Sequence, residues 1–536
     1  MIATHSYTGP QPNWPALLTI SASDSAGLAG NQMDQRCAAA MGVHACSAIT
    51  ATTAQNSDVF VATNAVSSAA LVSQIKAALV LKPRAVKIGL LASVEQITAV
   101  AHCLRGLSCP IVFDPVLATT SGKVNYTAQM LAAMHRELLP LVDVLTVNIP
   151  EVEQLLGFRL GRGGVVAAAC KLQLALSQGA SARDANALPW VVIKGGHLVG
   201  DYASDYCRGA GLEFSLCHAK VETQNTRGTG CALATFIASA QALGYETRDA
   251  LVIAKMAMQA GLENATGVDA SAGCLRSLGF PQSHWPQLID HSLSQALPSQ
   301  PFAPSVGGSQ GETLGLYPIV DSAQWLKRLL PLGITTAQLR VKHLQGQALK
   351  QEIQTAVALA KHYRCRLFIN DYWQEAIAAG AYGVHLGQED IASADLMAIA
   401  QAGLRLGVSN HCHWEMARGK TLRPSYLACG PVFATQTKAM PWVPHGLAGL
   451  RYWRQSLAGQ TLVAIGGIKN SNLSAVAATG VSGVALISEI TAAQNPEQVT
   501  RQLMAMMPGD AGLQKAVLSQ PAISETKTET EDSLTQ

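Results

Sequence analysis

The sequence predicts an α/β protein of two successive units, the first with a mostly parallel sheet and the second a (β/α)8 barrel. Three observations support this prediction. Short β-rich runs alternate with Ala-rich helical stretches along most of the 536 residues, as expected of βαβ units. The alternation dissolves between Gln282 and Gly311, where Pro, Ser, Gln and Gly dominate as in a linker. Eight strand-like runs follow, the number that closes this kind of barrel.

Composition narrows the class of protein further. The chain is 49% apolar, 14% charged and 5% aromatic, which is typical of α/β enzymes. A net charge of +3 gives no reason to expect a nucleic-acid partner. No apolar run reaches the ~18 residues of a membrane span, and Met1 to Pro15 lacks the basic start and apolar core of a signal peptide. We therefore expect a cytoplasmic protein without membrane or nucleic-acid partners.

The cysteines agree with a reducing compartment. Twelve cysteines without a Cys-x-x-Cys pair indicate reduced thiols rather than a disulfide framework. The cluster His411-Cys412-His413 could be interpreted as metal ligands. No fourth ligand follows at a zinc-site spacing, so we do not predict a zinc centre there.

The first unit is expected to span residues 1–285. Its strand-like runs are bounded by turn residues and separated by helical stretches, which favours a parallel sheet. The predicted strands are Leu17 to Ile20, Ala85 to Ile88, Ile111 to Phe113, Val144 to Val147 and Trp190 to Ile193.

A flexible linker is expected over residues 286–313 and the barrel over 314–508, followed by a Thr/Glu/Ser-rich tail, 509–536, that we expect to be disordered. The predicted barrel strands begin at Leu316 and continue through Ala337 to Leu339, Leu367 to Ile369, Gly383 to His385, Leu406 to Val408, Tyr426 to Ala428, Leu462 to Ile465 and Gly483 to Ile487.

Polar motifs follow several of the barrel strands. They place two carboxylates, several cations and a glycine pair where a parallel barrel builds its site, which suits a metal-bound phosphorylated ligand. The motifs are Gln338-Leu339-Arg340-Val341-Lys342, Phe368-Ile369-Asn370-Asp371-Tyr372, Val384-His385-Leu386-Gly387-Gln388-Glu389-Asp390, Thr435-Gln436-Thr437-Lys438 and Ile465-Gly466-Gly467-Ile468.

This ordered set closely resembles thiamine-phosphate synthase over roughly Leu314 to Val499. The resemblance implies that hydroxymethylpyrimidine diphosphate joins a thiazole phosphate, releasing diphosphate. It implies roles for residues that share the barrel mouth: Arg340, Lys342 and Lys438 on the diphosphate, Mg²⁺ on Asp371 and Asp390, Gln338 and Asn370 on the pyrimidine, Ser409 near the leaving group, Thr435 and Thr437 on the thiazole phosphate, and Gly467, Ile487 and Ser488 on phosphate. His385 is either a satisfied structural group or a site residue.

Several motifs of the first unit also contain polar residues and glycines that could bind a ligand. Asn225-Thr226-Arg227-Gly228-Thr229-Gly230-Cys231 predicts a Gly-rich turn that opens a helix, where backbone N–H groups form an anion hole. Asn148-Ile149-Pro150-Glu151 offers an amide and a carboxylate for Mg²⁺ near a nucleotide. Lys194 in Lys194-Gly195-Gly196-His197 can bring an ammonium group to a phosphate. Asp34 and Gln55 can hydrogen-bond a small heterocycle.

Together these motifs resemble the hydroxymethylpyrimidine kinase / phosphomethylpyrimidine kinase family over roughly Ala16 to Leu262. The resemblance implies a ribokinase-like sandwich, ATP as the phosphoryl donor, and often a homodimer. It implies related roles for eight residues: Asp34 and Gln55 as pyrimidine ligands, Asn148 and Glu151 as the magnesium-nucleotide pair, Gly228 and Gly230 in the anion hole, Lys194 as a phosphate clamp and Cys231 at the catalytic position. A thiol at a helix N-terminus is expected to have a lowered pKa.

The first unit departs from its family's pattern in ways that leave two hypotheses open. Ala22, Ala26 and Leu28 stand at usual glycine positions, where methyl groups could crowd the pyrimidine or forbid a backbone angle. Other departures are Thr120, Lys123 and Arg227. One hypothesis is a bifunctional enzyme that phosphorylates hydroxymethylpyrimidine twice and feeds the diphosphate to the barrel. The other is an active synthase whose N-terminal half binds pyrimidine without catalysis.

Overall fold

The structure is a computed structural model of the chain. It describes residues 14–56, 60–117, 126–161, 163–178, 188–196, 200–268, 273–293, 296–305, 313–435 and 443–507. All twelve cysteines lie within these ranges, and none of them forms a disulfide. No helix in these ranges is long and apolar enough to cross a membrane.

The first unit alternates strands and helices as predicted. Its strands are β1 (Ala16–Asp24), β2 (His44–Gln55), β3 (Phe60–Ala65), β4 (Ala85–Ile88), β5 (Ile111–Phe113), β6 (Val144–Asn148), β7 (Trp190–Lys194), β8 (Tyr202–Gly209), β9 (Leu212–Ala219), β10 (Thr266–Gly267), β11 (Gly273–Cys274) and β12 (Gln287–Asp290). Its helices are α1 (Gly30–Ala40), α2 (Ser68–Leu79), α3 (Val94–Leu104), α4 (Ala128–Ala133), α5 (Ile149–Leu156), α6 (Val165–Ser177), α7 (Thr229–Ala242) and α8 (Thr247–Glu263).

Ten of the described strands form one sheet in the order β12-β9-β8-β7-β6-β5-β4-β1-β2-β3. The stretch from β7 to β2 is parallel, while β3, β8, β9 and β12 add antiparallel edges. Helices cover the sheet and bury an apolar core on each face. The prediction of a mostly parallel sheet is confirmed, and the antiparallel edges are additions to it.

The second unit is a barrel. Its strands are β13 (Gly315–Val320), β14 (Thr336–Leu339), β15 (Arg366–Asn370), β16 (Gly383–Leu386), β17 (Arg405–Asn410), β18 (Tyr426–Cys429), β19 (Leu462–Ile465) and β20 (Gly483–Leu486). Its helices are α9 (Ala323–Leu329), α10 (Gly346–His362), α11 (Trp373–Ala379), α12 (Leu396–Gln401), α13 (His413–Thr421), α14 (Gly446–Ser456), α15 (Leu473–Ala477), α16 (Ser488–Thr491) and α17 (Pro496–Ala505).

These eight described strands pair in sequence order, and β20 closes on β13, all in parallel. Aromatic side chains fill the interior, where the rings of Tyr317, Phe368 and Tyr426 lie 5.1 to 6.0 Å apart between centroids. Such edge and tilted contacts suit aromatic quadrupoles and leave a packed core rather than a pore. The predicted (β/α)8 barrel is confirmed.

The predicted flexible linker is wrong over much of its length. Residues 287–290 form β12, which pairs with β9 and extends the first unit's sheet. Trp285 and Phe302 are buried, and Trp285 Nε1 donates to the Ser456 carbonyl at 2.9 Å. These apolar anchors in a polar stretch bind the segment to both units. Residues 294–295 and 306–312 of the linker and the whole tail, 509–536, lie outside the described residues.

The two units share a packed interface. Helix α13 packs on α8 and β12. The His413 ring lies among the aromatic rings of Tyr245, Phe280, Trp285 and Tyr452, with centroids 5.3 to 6.2 Å away. The cluster His411-Cys412-His413 therefore contributes to packing, and no metal-ligand group of three occurs among the described residues.

A buried carboxylate at this interface generates a pH prediction. Asp249 Oδ1 accepts the Trp414 N–H at 2.7 Å, and burial raises the Asp249 pKa from 3.8 to about 6. The folded chain therefore binds this proton more tightly than the unfolded chain does. The contribution to stability is greatest below pH ~4 and falls as the pH rises through about 6.

We expect Asp249→Asn to increase the free energy of unfolding at pH 7 by ~1 to 3 kcal/mol, because the amide oxygen still accepts from Trp414 without a charge. Chemical unfolding at pH 4.5 and pH 7 measures this, with Glu246→Gln on the same helix end as the control. A larger gain at pH 4.5 than at pH 7 would contradict the assignment.

Candidate active sites

A cavity of about 940 Å³ opens at the carboxyl ends of the parallel strands of the first unit. The parallel arrangement brings residues from distant parts of the sequence to this edge. Predicted site residues on its wall are Gln55, Asn148, Glu151, Lys194, Gly228, Gly230 and Cys231. The structure thus brings together seven of the eight residues predicted for this site.

Asp24 holds the loop after β1 through hydrogen bonds, although Ala26 and Leu28 stand there at usual glycine positions. Asp24 Oδ2 accepts the Leu28 and Ala29 N–H groups at 3.0 and 2.9 Å, and Oδ1 accepts from Gln55 Nε2 at 2.8 Å. Gly27 and Gly30 take the positive φ angles of +70° and +54°. The strained angle considered for the substituted positions is therefore absent from this loop.

The substituted side chains leave most of the cavity open. Leu28 is 3% exposed and is not among the cavity-lining residues, while Ala22 lines the wall. The main motivation for a catalytically impaired N-terminal half is thereby removed. Thr120 and Lys123 lie outside the described residues.

Asp34 was predicted to bind the pyrimidine, and the structure places it behind the cavity wall. Its carboxylate is fully buried and accepts from Lys87 Nζ at 2.8 and 2.9 Å, from Ser21 Oγ at 2.7 Å and from Thr235 Oγ1 at 2.8 Å. Burial alone would lower the Lys87 pKa, but the Asp34 charge raises it. Lys87 therefore carries a positive charge on the wall, with Asp34 as its buried counter-ion.

Lys194 sits between two carboxylates. Its Nζ lies 2.7 Å from Asp114 Oδ1 and 3.6 Å from Glu151 Oε2. Burial would lower its pKa, but both negative charges raise it, so the ammonium group is charged. Burial raises the pKa of Glu151. This arrangement presents one held cation and two carboxylates to the cavity.

Asn148 and Glu151 close the start of α5 with a capping box. The Asn148 side chain accepts the Glu151 N–H at 2.9 Å, and the Glu151 carboxylate accepts the Asn148 N–H at 2.8 Å. The reciprocal pair satisfies two backbone donors and fixes both side chains. Both residues line the cavity wall.

Helix α7 begins at the predicted anion hole. Gly228 is its N-cap with φ +74°, and a Cβ there would lie 2.3 Å from the Leu28 carbonyl oxygen, so only glycine fits. The expected low thiol pKa is wrong for Cys231, because burial raises it to about 11. Asp34 and Asp114 add to this effect, which outweighs Lys87 and the helix terminus.

The mouth of the barrel gathers the second set of predicted residues. Lys342 Nζ lies 2.5 Å from Asp371 Oδ2, and Asp390 Oδ2 accepts the Gly387 N–H at 3.1 Å. Burial and the nearby negative charge of Asp371 raise the pKa of the Asp390 carboxyl group. Asp371 adopts φ +64°, which turns the chain sharply at the end of β15.

The negative charge of Asp371 raises the pKa of Asp390, and a cation bound between the two carboxylates would offset this repulsion. Mg²⁺ is commonly held by one or two carboxylates together with water and substrate phosphates. Asp371 and Asp390 fit this pattern, with Lys342 supplying the positive charge that already faces Asp371.

His385 is buried and hydrogen-bonds to Ser409 and Tyr426. Its Nε2 lies 2.8 Å from Ser409 Oγ, and its Nδ1 lies 2.7 Å from the Tyr426 hydroxyl. Burial lowers the His385 pKa to about 4, so the ring is neutral near pH 7. Gln338 Nε2 donates to the Tyr317 hydroxyl at 3.4 Å within the same network. His385 therefore orients Ser409 rather than titrating.

The remaining barrel residues lie on adjacent loops. Gly467 adopts φ +64°, and a Cβ there would lie 2.5 Å from the Ala434 carbonyl oxygen. The loop after β19 thereby reaches the loop that carries Thr435. Other predicted residues at strand ends are Asn370, Arg340, Ile487 and Ser488. Thr437 and Lys438 lie outside the described residues.

Several site residues were missed by the sequence analysis. Asp24, Lys87 and Asp114 all line the cavity. Lys87 and Asp114 lie within or directly after predicted strands, the same signal that identified Lys194. Their position at carboxyl ends of parallel strands was sufficient to find them.

Both units place charged side chains at the carboxyl ends of parallel strands, as α/β enzymes do at their active sites. Residues 24–276 match the family model described as phosphomethylpyrimidine kinase, and residues 316–490 match that of thiamine monophosphate synthase. The chain therefore belongs to the thiamine-phosphate synthase family through its barrel and carries a phosphomethylpyrimidine kinase domain before it. It is a bifunctional transferase of thiamine biosynthesis.

Individual relatives match each half of the chain. The chain is 51% identical over 213 residues to thiamine-phosphate synthase of Photorhabdus laumondii subsp. laumondii, covering 40% of this chain and 96% of that protein. It is 52% identical over 201 residues to thiamine-phosphate synthase of Yersinia pestis (strain Pestoides F), covering 38% and 94%. The crystal structure of phosphomethylpyrimidine kinase from Clostridium difficile 630 is 31% identical, with 46% of this chain and 98% of that one covered and a TM-score of 0.38.

The raised pKa of Cys231 generates a prediction for the kinase. Because the thiol stays protonated below about pH 11, the kinase rate should show no thiolate-dependent rise between pH ~7 and ~9. Cys231→Ala should slow the kinase by about tenfold or less and spare the synthase.

Steady-state kinase rates across this pH range measure the effect, with exposed Cys170→Ala as the matched control. A rate that climbs with pH in the native protein but not in Cys231→Ala would show that the thiolate acts as a base.

Proposed function

We propose that the cavity of the first unit phosphorylates hydroxymethylpyrimidine and then its monophosphate, with ATP as donor and Mg²⁺ as the metal. In each step the acceptor oxygen forms a bond to the γ-phosphorus of ATP, the bond to the bridging oxygen breaks, and ADP leaves. The observation that supports this most strongly is Lys194, held charged between Asp114 and Glu151 at the cavity wall.

The roles follow from charge and position. Gln55 and Asp24 offer polar groups to the pyrimidine, and Lys87 contributes a positive wall backed by Asp34. Lys194 and the N–H groups at the start of α7 attract the transferred phosphoryl group. Asn148 and Glu151 face the nucleotide and its metal. Cys231, protonated, contacts the same region as a neutral donor.

We propose that the barrel mouth joins the pyrimidine diphosphate to the thiazole phosphate. The bond between the pyrimidine methylene carbon and the diphosphate oxygen breaks, and the thiazole nitrogen bonds to that carbon. Arg340, Lys342 and Lys438 attract the leaving diphosphate, while Asp371 and Asp390 would hold Mg²⁺. Bound there, Mg²⁺ would neutralise charge on the diphosphate.

The other barrel residues orient the two substrates. Gln338 and Asn370 face the pyrimidine, and Ser409, oriented by His385, lies near the leaving group. Thr435, Thr437, Gly467, Ile487 and Ser488 receive the thiazole phosphate. Neutral His385 adds no positive charge near pH 7, so the attraction on the diphosphate comes from the arginine and lysine side chains.

Two substitutions test whether each reaction belongs to its own site. Asp371→Asn should lower synthase turnover with supplied pyrimidine diphosphate ~100-fold or more and leave pyrimidine-dependent ATP consumption unchanged, because the isosteric amide removes only the charge. Lys194→Met should do the reverse, since it removes the cation that faces the phosphoryl group.

Each variant carries its own control, because the second activity reports that the chain has folded. Loss of both activities in either variant, or loss of neither, would contradict the assignment of the two reactions to two sites.

A further inference from the structure

The segment that joins the two units also reaches a loop of the barrel mouth. Asp290 is the last residue of β12, and its Oδ2 accepts from Arg418 Nε of α13 at 2.7 Å. Both side chains are 7% exposed. A charge pair this well shielded from water keeps its geometry, since breaking it would leave a buried charge without a partner.

Arg418 has a second set of partners on the barrel. One terminal nitrogen donates to the Gln388 backbone carbonyl at 2.7 Å and to Gln388 Oε1 at 3.0 Å. The guanidinium also lies over the Trp414 ring, 5.5 Å from its centroid. Because the guanidinium is planar and rigid, fixing its Nε on Asp290 also fixes where the other donors point.

The Gln388 side chain also hydrogen-bonds to strand β17. Its Nε2 donates to the Ser409 carbonyl at 2.7 Å and to Asn410 Oδ1 at 3.2 Å. Both ends of the amide are used, and a reversed amide would face donor to donor and acceptor to acceptor. The Gln388 side chain therefore has one satisfied orientation, set by Arg418 on one side and β17 on the other.

Gln388 lies in the loop that carries Asp390. Gly387 donates its N–H to Asp390 Oδ2 at 3.1 Å, and the Ile391 N–H donates to the Gly387 carbonyl at 3.3 Å. Holding Gln388 at both its backbone and its side chain thus fixes this short loop. Asp390 and Ser409 are the two site residues nearest along the chain to the groups that Gln388 joins.

We propose that Asp290 and Arg418 are positioning residues for the synthase reaction. The strand that completes the kinase sheet orients Arg418, and Arg418 holds Gln388, which sets the Asp390 loop against β17. The kinase unit is then a structural part of the synthase site. This inference rests on the synthase reaction proposed for the barrel mouth.

We call the contacts from Asp290 through Arg418 and Gln388 to the Asp390 loop the relay. Two variants of the full chain break this relay at different points. Asp290→Asn keeps the side-chain size but removes the charge that orients Arg418. Arg418→Lys keeps a positive charge beside Asp290 but cannot hold Asp290 and Gln388 at once with a rigid fork. The matched control is Thr421→Val, which removes the acceptor of the Leu288 N–H at 2.9 Å between the same strand and the same helix, away from Gln388.

Synthase kinetics with supplied pyrimidine diphosphate and thiazole phosphate are measured on all three variants. We expect kcat to fall about tenfold in Asp290→Asn and Arg418→Lys, because a misplaced loop costs catalysis more than binding. KM should change less than about threefold. Kinase turnover should be unchanged, and Thr421→Val should match the native protein in both activities.

Hydrogen exchange of a peptide covering residues 387–392 gives a second readout that needs no turnover. Exchange should be faster in Asp290→Asn and Arg418→Lys than in the native protein and Thr421→Val. Equal exchange in Asp290→Asn and Thr421→Val would overturn the relay. A native protein that does not convert supplied substrates would instead defeat the proposed synthase reaction, and the exchange comparison would still decide the relay.

Discussion

Both sites depend on one constraint: strands that run parallel in a sheet all end at the same edge. In the first unit this edge brings together Asp24, Asn148 and Lys194, which lie at the ends of β1, β6 and β7. In the barrel it gathers Asn370 and the loops that follow the other strands. No local motif could hold these groups together, so the sheet acts as the scaffold of both sites.

Charged side chains at both sites are paired with opposite charges. In the first unit Lys87 is paired with Asp34, and Lys194 is paired with Asp114 and Glu151. A buried ion pair adds little stability, but removal of one partner is costly, so such pairs fix geometry. The barrel pairs Lys342 with Asp371 and leaves Asp390 with a raised pKa, which favours an added cation.

The strands with strong β-rich patterns were predictable, because each lies between Ala-rich helices. The strands toward the two ends of the sheet, β2, β3, β8 and β9, were missed. They are rich in Ala, Ser, Thr and Cys or carry charges, and their pairing depends on neighbours that the sequence does not display. β12 was interpreted as linker because Gln287–Asp290 has only two apolar residues, and its strand conformation depends on pairing with β9.

The site residues also divide into those that a local sequence pattern indicates and those whose role depends on tertiary contacts. The structure brings the predicted residues at strand ends of the first unit to one cavity and places Asp34 behind its wall. A helix position alone does not reveal whether a carboxylate faces the cavity or a buried lysine. The Cys231 pKa could not be predicted from the helix terminus alone, because burial outweighs it. The contact between the units was also missed, since it is built from single anchors such as Trp285 spread through a polar segment.

With both sites active, one chain makes thiamine phosphate from the unphosphorylated pyrimidine. The most direct measurement is a time course of the full-length protein with Mg²⁺, ATP, hydroxymethylpyrimidine and the thiazole phosphate, following each pyrimidine phosphate and thiamine phosphate. We expect the monophosphate and diphosphate to appear first and thiamine phosphate to follow. Thiamine phosphate that forms only when pyrimidine diphosphate is supplied would contradict this expectation, because the first unit would then lack kinase activity.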